Sequence, residues 1–204
     1  MSQLPVSVVI PHIASRKAFL ESMVLPAVQR NRPSEVFVMP GDTVGSQVAR
    51  NNGAAQATQP YVIFIDDDSV PEDGALARYV AALEKRPDCA FAYCDVVLHR
   101  ERGEVRTHYA QEFDLEELRR RSYVSCLSLV RRSALVPWDP QITRMQDWDF
   151  WLTITDKGGR GVYVPEPLFR DYRIDASITC RMPLEPNVTR IRQKHNLPPT
   201  GAYW

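Results

Sequence analysis

Long apolar runs are missing from this sequence. No stretch approaches the about 20 residues that a helix needs to cross a bilayer, so no stable membrane insertion is expected. Charge of one sign is missing too. Lysine plus arginine and aspartate plus glutamate balance at 25 each, so no overall field draws the chain to nucleic acid or an anionic surface. Cysteine is scarce, and Cys89, Cys94, Cys126 and Cys180 form no CxxC pair and no zinc spacing. That pattern suits free thiols in a reducing cytoplasm better than a disulfide framework. The opening Met-Ser-Gln-Leu-Pro lacks the basic flank and apolar core of a signal peptide. With no internal repeat, low-complexity block or linker, the expectation is one cytoplasmic domain large enough to bury a real core.

What is present centres on Tyr61-Val-Ile-Phe-Ile-Asp-Asp-Asp-Ser-Val-Pro71. Five apolar, mostly β-prone residues run into three carboxylates, as in a strand buried on both faces of a parallel sheet. Asp66, Asp67 and Asp68 then fall at its C-terminal end, where open α/β sheets bind ligands. If extended geometry persists that far, Asp66 and Asp68 point the same way. Two carboxylates about 5 Å apart repel by roughly 3 kcal/mol at an effective dielectric near 20. A divalent cation reverses that sign, and hard cations prefer oxygen ligands. The plainer reading is a solvated acidic turn capping a helix that starts near Pro71-Glu72.

Strand and helix signals alternate through the first half. Val6–Ile10 reads as a strand ended by Pro11, and Arg16–Arg30 as a helix with Phe19, Met23 and Ala27 on one face, kinked or divided at Pro26. Glu35–Met39 is a second strand, Ser46 caps a helix to about Ala57 with Asn52-Gly53 as a weak point, and Glu72–Lys85 is amphipathic through Leu76, Tyr79, Val80 and Leu83. This is the α/β pattern. The rhythm then changes. Cys89–Leu98 and Glu104–Tyr109 read as a hairpin, Asp114 caps a short helix, and Val124–Val130 reads as a strand followed by a helical turn at Arg131–Leu135. Gln146–Asp156 reads as a helix with an aromatic face (Trp148, Phe150, Trp151), Gly161–Pro165 as a last short strand, and the segment from Met182 as a Pro-rich, partly extended tail.

In order, Val6-Ser-Val-Val-Ile-Pro11, Gly45-Ser-Gln-Val-Ala-Arg-Asn-Asn-Gly53, Phe64-Ile-Asp-Asp-Asp68, Leu129-Val-Arg-Arg-Ser-Ala-Leu135, Gln146-Asp-Trp-Asp-Phe-Trp151 and Tyr172-Arg-Ile-Asp-Ala-Ser177 resemble an inverting, family 2-type glycosyltransferase. Each piece is weak alone; the ordered set is specific. The resemblance implies a GT-A fold, a Rossmann-like, mostly parallel sheet flanked by helices with a small antiparallel element in the second half. It implies a domain over 1–180, with a nucleotide and metal half (1–96) and an acceptor half (97–180), followed by the tail 181–204. The implied activity is metal-dependent transfer of a sugar from a nucleoside diphosphate, UDP before others, to a hydroxyl acceptor such as a glycan or lipid-linked saccharide. Asp68 is then expected to hold Mn²⁺ or Mg²⁺, with Asp175 as a further ligand where relatives often have His. Asp66 is expected near the ribose, Arg50 at the base or phosphates, and Pro11, Asp42 and Arg173 along the nucleotide. Asp147 is the expected base, since inversion needs a carboxylate opposite the leaving group, and its place at a helix N-terminus is expected to keep it ionised. Asn51 reads as structural, Asp149 as facing away from Asp147, and Trp148 and Trp151 as core or as a sugar platform.

This sequence departs from the family pattern at four places: Met39-Pro-Gly-Asp42 lacks the usual base-reading acids, the first loop lacks Tyr-Asn, Gln146 replaces an acid, and Asp175 replaces a His. Ile63–Val70 also fits the nucleophile motif of a haloacid dehalogenase-type phosphatase, with Asp66 attacking phosphorus. Against it, two strand–helix units precede the motif, and no later lysine with an acidic pair follows. A catalytically degenerate nucleotide- or glycan-binding protein is the non-enzyme alternative. Glycosylation of modified DNA bases is a substrate variant, motivated by Arg119–Arg121, Arg131-Arg132 and Arg190–His195, although such runs are usually solvated. The sequence ends soon after the family core, so no added lid or membrane-docking module is expected.

Overall fold

The computed structural model describes residues 2–100, 103–172 and 182–198. Eight strands form one sheet: β1 (Leu4–His12), β2 (Pro33–Pro40), β3 (Tyr61–Phe64), β4 (Ser69–Pro71), β5 (Phe91–His99), β6 (Val105–His108), β7 (Leu129–Arg131) and β8 (Gly161–Tyr172). The order is β2-β1-β3-β7-β5-β8-β4, with β6 paired to β5. The long ladders, β1 with β2, β1 with β3 and β5 with β8, are parallel. β7 runs antiparallel to both β3 and β5, and so joins the two halves of the sheet. The hairpin of β5 and β6 supplies the expected antiparallel element.

Period-two alternation divides the core between the two faces of this sheet. Val6, Val8, Ile10, Ile63 and Ile65 face one side, under α4 (Ala75–Lys85), whose Leu76, Tyr79 and Leu83 are all buried. Val9, Val62 and Phe64 face the other, against Trp138, Trp148, Phe150 and Trp151. Each such side chain removed from water contributes about 1.5–3 kcal/mol.

Several boundaries differ from expectation for identifiable reasons. β1 continues through Pro11 to His12, because β3 pairs only with Val6 to Val9 and the missing proline N–H breaks no ladder bond on that side. The first helix is α1 (Lys17–Phe19), a π-turn over Leu20–Val24 and α2 (Leu25–Arg30). The Leu25 N–H reaches back to the Leu20 carbonyl just before Pro26, so the division falls where the proline removes a donor. Its buried residues are Leu20, Val24, Ala27 and Val28; of the expected face Ala27 is buried, Phe19 packs partly against the core and Met23 is exposed. β8 is long because Pro165 and Pro167 fall at a register shift opposite Asp95, where the ladder needs no donor. Between Tyr123 and Leu129 only the last residue is strand. Asp114 caps the short helix α5 (Leu115–Arg120) as expected, whereas the expected extended tail instead holds a helix, α7 (Leu184–Lys194). Pro183 precedes it and Pro186 lies in its first turn, where a missing N–H costs nothing.

Gly53 lies in α3 (Ser46–Gln56), and a Cβ there would come within 2.3 Å of a Val9 methyl. It is therefore the point where the helix backbone touches β1, and not a weak point. Gly53→Ala gains about 1 kcal/mol of helix propensity but forces α3 off the sheet at about 1–3 kcal/mol. The expected result is a net loss of stability in urea denaturation; a gain would refute the close approach.

Candidate active site

The acidic triplet follows β3 directly, but the strand does not continue into it. The Ile65 N–H still bonds Val9, then the Ser69 N–H turns back to the Asp66 carbonyl. The three carboxylates therefore diverge, and they form neither a solvated turn nor a helix cap: α4 starts only at Ala75, after Gly74 in the left-handed region. Asp66 accepts from Arg50 Nη2 at 2.5 Å, with Cys126 Sγ at 3.5 Å. Asp67 points inward and holds the loop after β1. Its carboxylate accepts from the Ile13 N–H at 2.9 Å and Arg16 Nη1 at 2.9 Å, with His12 Nδ1 at 3.0 Å. Asp68 meets Arg16 Nη1 at 2.7 Å. Burial, then Asp66 and Asp171, push Asp68 up to about 8, and Arg16 opposes this only in part. Asp68 therefore takes up a proton more readily than an ordinary carboxylate.

Arg50 reaches the site from α3 and is 5% exposed, so it is not a solvated helix charge. Its guanidinium lies 4.5 Å from the Trp138 ring centre and donates to both Asp66 and Gln146, the latter at 2.8 Å. Three hydrogen bonds fix α3 to the segment that precedes residue 146. Asn51 both donates to and accepts from the Trp138 backbone at 2.8 Å, which bears out its structural reading, and Gln47 donates to the Ile142 carbonyl at 2.5 Å. Ser46 is the first helical residue and not the cap; its hydroxyl donates to Gln146.

Gln146 opens α6 (Gln146–Asp156), entered through Met145 in the left-handed region at φ 59°. The Gln146 amide nitrogen is held by the Thr143 carbonyl, so its oxygen faces Arg50. Asp147 follows, half-buried, and accepts from the Trp148 N–H at 2.9 Å. Burial raises Asp147 above the usual carboxylate range, against the Trp148 N–H and Arg50, with Asp66 adding to the rise. Burial thus outweighs the helix terminus that was expected to keep it ionised. A carboxyl shifted upward is better matched to taking a proton near neutral pH. The Cys126 thiol, 3.5 Å from Asp66, is raised first by burial and then by Asp66, with Asp147 adding and Arg50 opposing, so the triplet and the α6 terminus are electrostatic neighbours.

The other expected residues divide. Asp42 is exposed in the loop after β2 and accepts from the Ala14 N–H at 2.8 Å, at the same end of the sheet. Pro11 is buried in β1, paired with Met39. Arg173 and Asp175 lie outside the described residues. Trp148 and Trp151 are fully buried and belong to the core. Asp149 faces away from the cleft, as its spacing implied. Three participants were not singled out from the sequence: Arg16, Asp171 and Cys126. Asp171 arrives through the antiparallel pairing of Ser69 with Asp171, and its carboxylate accepts from the Ser69 hydroxyl at 2.8 Å. The cations that motivated a DNA substrate are largely engaged within the fold. Arg119 pairs with Asp156, Arg121 with Glu117, Lys194 with Asp149, and Arg131 donates to backbone carbonyls.

The family model described as Glycosyltransferase like family 2 matches residues 7–194. Among solved structures, the S. aureus TarS fragment 1–349 in complex with UDP-GlcNAc matches with a TM-score of 0.73 at 12% identity, over 96% of this chain and 65% of that one. The same fragment in complex with UDP matches at 0.60 and 15% identity, over 85% and 61%. A further S. aureus TarS structure matches at 0.65 and 13% identity, over 95% of this chain and 39% of that one. The chain thus spans less than two thirds of each of these structures. At such identities the likeness is one of fold, the GT-A arrangement expected from the sequence. No curated protein sequence matches significantly.

Proposed function

The chain belongs to the glycosyltransferase-like family 2, and from that premise we propose that it moves one sugar from a nucleoside diphosphate to a hydroxyl acceptor with inversion. UDP is the nucleotide best supported, because TarS structures of the same fold hold UDP-GlcNAc and UDP. The observation that carries the reading is the hydrogen-bonded chain in which Arg50 joins Asp66 to Gln146, the residue before Asp147 at the α6 terminus. Asp147 takes the proton of the acceptor hydroxyl as its oxygen attacks the anomeric carbon. The bond to the diphosphate breaks on the opposite face, and its electron pair leaves with the diphosphate oxygen. Arg50 balances charge between Asp66 and the departing group. Asp66 takes the ribose, and Asp42 with Pro11 borders the base.

The donor set fits a divalent cation. Asp68 is buried, and burial with the nearby charges of Asp66 and Asp171 disfavours its anionic form, a penalty that a bound cation would relieve. Among the described residues no three His, Cys, Asp or Glu side chains form a complete cage. Mn²⁺ or Mg²⁺ on Asp68 would therefore take further ligands from the diphosphate, as Mg²⁺ commonly does. Such an ion supplies Lewis-acid stabilisation of the leaving diphosphate. Asp175 is proposed as an additional ligand and Arg173 as a phosphate contact.

Three free thiols among the described residues (Cys89, Cys94, Cys126) agree with a reducing cytoplasmic setting, and no helix there is long and apolar enough to cross a membrane. The phosphatase alternative loses its support to the family match.

Thermal-shift screening of nucleotide-sugars with and without Mn²⁺, followed by assay of nucleoside diphosphate release on an acceptor panel, tests the function. Binding without turnover on any acceptor would leave a nucleotide-binding member of the family. Asp68→Ala is expected to weaken UDP binding at least tenfold in Mn²⁺ and little in EDTA, read by calorimetry. Equal UDP affinity of the unmodified protein in Mn²⁺ and EDTA would remove the metal from the mechanism.

A further inference from the structure

The acidic triplet has a cation of its own. Arg16 closes the short turn Ala14–Arg16 after β1, and a single nitrogen, Nη1, lies 2.9 Å from Asp67 Oδ1 and 2.7 Å from Asp68 Oδ2. The two carboxylates do not depend on it equally. Asp67 also has the Ile13 N–H and His12, so it keeps partners if Arg16 withdraws. On Asp68, Arg16 is the opposing charge, set against Asp66 and Asp171. The guanidinium therefore stands at the carboxylate to which the proposed metal would bind. Two cations cannot share one carboxylate oxygen at contact distance without strong mutual repulsion. No residue of Ala14–Arg16 is buried, so the turn that carries Arg16 is held by hydrogen bonds, Ile13 N–H to Asp67 and Ala14 N–H to Asp42, and not by apolar packing.

We propose that Arg16 is an exchangeable counter-ion of Asp68, which holds the donor cradle together without ligand and gives up that carboxylate when metal and diphosphate enter together. The inference rests on the metal reading given above. It makes metal uptake depend on nucleotide. Without diphosphate, withdrawal of Arg16 leaves a guanidinium with less negative charge to face. With diphosphate, the phosphate oxygens offer it new acceptors, which its forked donors suit. Arg16 is a positioning and selectivity residue in this scheme, and it sets the order in which ligands bind.

Electron paramagnetic resonance of free Mn²⁺ measures this without turnover. The unmodified chain is expected to bind Mn²⁺ weakly alone and at least tenfold tighter with saturating UDP. Arg16→Gln is expected to bind Mn²⁺ alone at least tenfold tighter than the unmodified chain, and to lose most of the gain from UDP. Arg16→Lys, which keeps the charge, is expected to stay near the unmodified chain, and it carries the test should Arg16→Gln fail to fold. A Lys variant that takes up Mn²⁺ alone as tightly as the UDP-bound protein overturns the exchange. A purely structural Arg16 would instead weaken Mn²⁺ and UDP binding together. Unchanged or weaker Mn²⁺ binding by a folded Arg16→Gln overturns the exchange, provided UDP still enhances Mn²⁺ binding in the unmodified chain. If no variant binds Mn²⁺ even with UDP, the metal reading falls and the exchange with it.

Discussion

Asp147→Asn is expected to lower turnover by about a hundred- to ten-thousandfold, the range that a positioned general base contributes. UDP and Mn²⁺ affinities should stay close to those of the unmodified protein. The substitution keeps size and the oxygen that accepts from the Trp148 N–H, so α6 should still start at the same residue. What is lost is the ability to take a proton. The pH profile separates this from simple damage. Burial holds Asp147 above the usual carboxylate range, and the base works only when unprotonated. Activity of the unmodified enzyme should therefore fall as pH drops through that raised value and level off above it. Residual turnover of the Asn variant should not follow that limb. Near-normal kcat in Asp147→Asn would transfer the base role to another group, and a retained acid limb would show that the limb belongs to a different residue.

The parts of this site legible in the sequence are those carried by local pattern. The apolar run Tyr61–Ile65 made a buried strand, and the carboxylates after it fell at the ligand-binding end of the sheet. The spacing of Asp147 and Asp149 around one helix also separated their faces correctly. Long-range pairing was not legible. Asp171 reaches the triplet because β8 extends past two prolines and meets β4, and nothing local to Asp171 signals that. Arg16 looks like any helix-start cation until Asp67 draws its turn against the acidic loop. The triplet's geometry hides for a related reason. Strand alternation ends at Ile65, where a turn takes over, sending Asp66 to Arg50 and leaving Asp67 and Asp68 to share Arg16. Proline content made the segment after Met182 read as extended, although its prolines sit where a helix tolerates them.

Asp149→Ala is expected to destabilise the fold by about 1.5–3 kcal/mol, the cost of removing a buried charged acceptor whose partners keep one other carboxylate each, Asp156 for His195 and Asp139 for Lys194. The helix α7 (Leu184–Lys194) packs Val188 and Ile191 into the core beside α6, and charged groups fix the contact. Asp149 is 2% exposed, with His195 Nε2 at 2.8 Å and Lys194 Nζ at 2.9 Å. The other ring nitrogen of His195 lies 2.6 Å from Asp156, at the last residue of α6. Each ring nitrogen thus faces a carboxylate oxygen. Removing Asp149 leaves the Nε2 side of the ring facing a cavity, and Lys194 with Asp139 alone. In a chain of this size about 1 kcal/mol corresponds to 2–4 °C in melting temperature, so a drop of roughly 3–12 °C should be measurable. The functional consequence follows from where α6 is held. Arg50 fixes its first residue through Gln146, and the α7 network fixes its middle and end. Loosening the second anchor should let Asp147 move relative to the donor cleft, so kcat should fall beyond the loss of folded protein, while UDP affinity changes less. His195→Ala should be destabilising alone and add little to Asp149→Ala, because both remove the same contact. A loss below 1 kcal/mol for Asp149→Ala, or full additivity with His195→Ala, would show that apolar packing alone seats α7 and that the ion network is incidental.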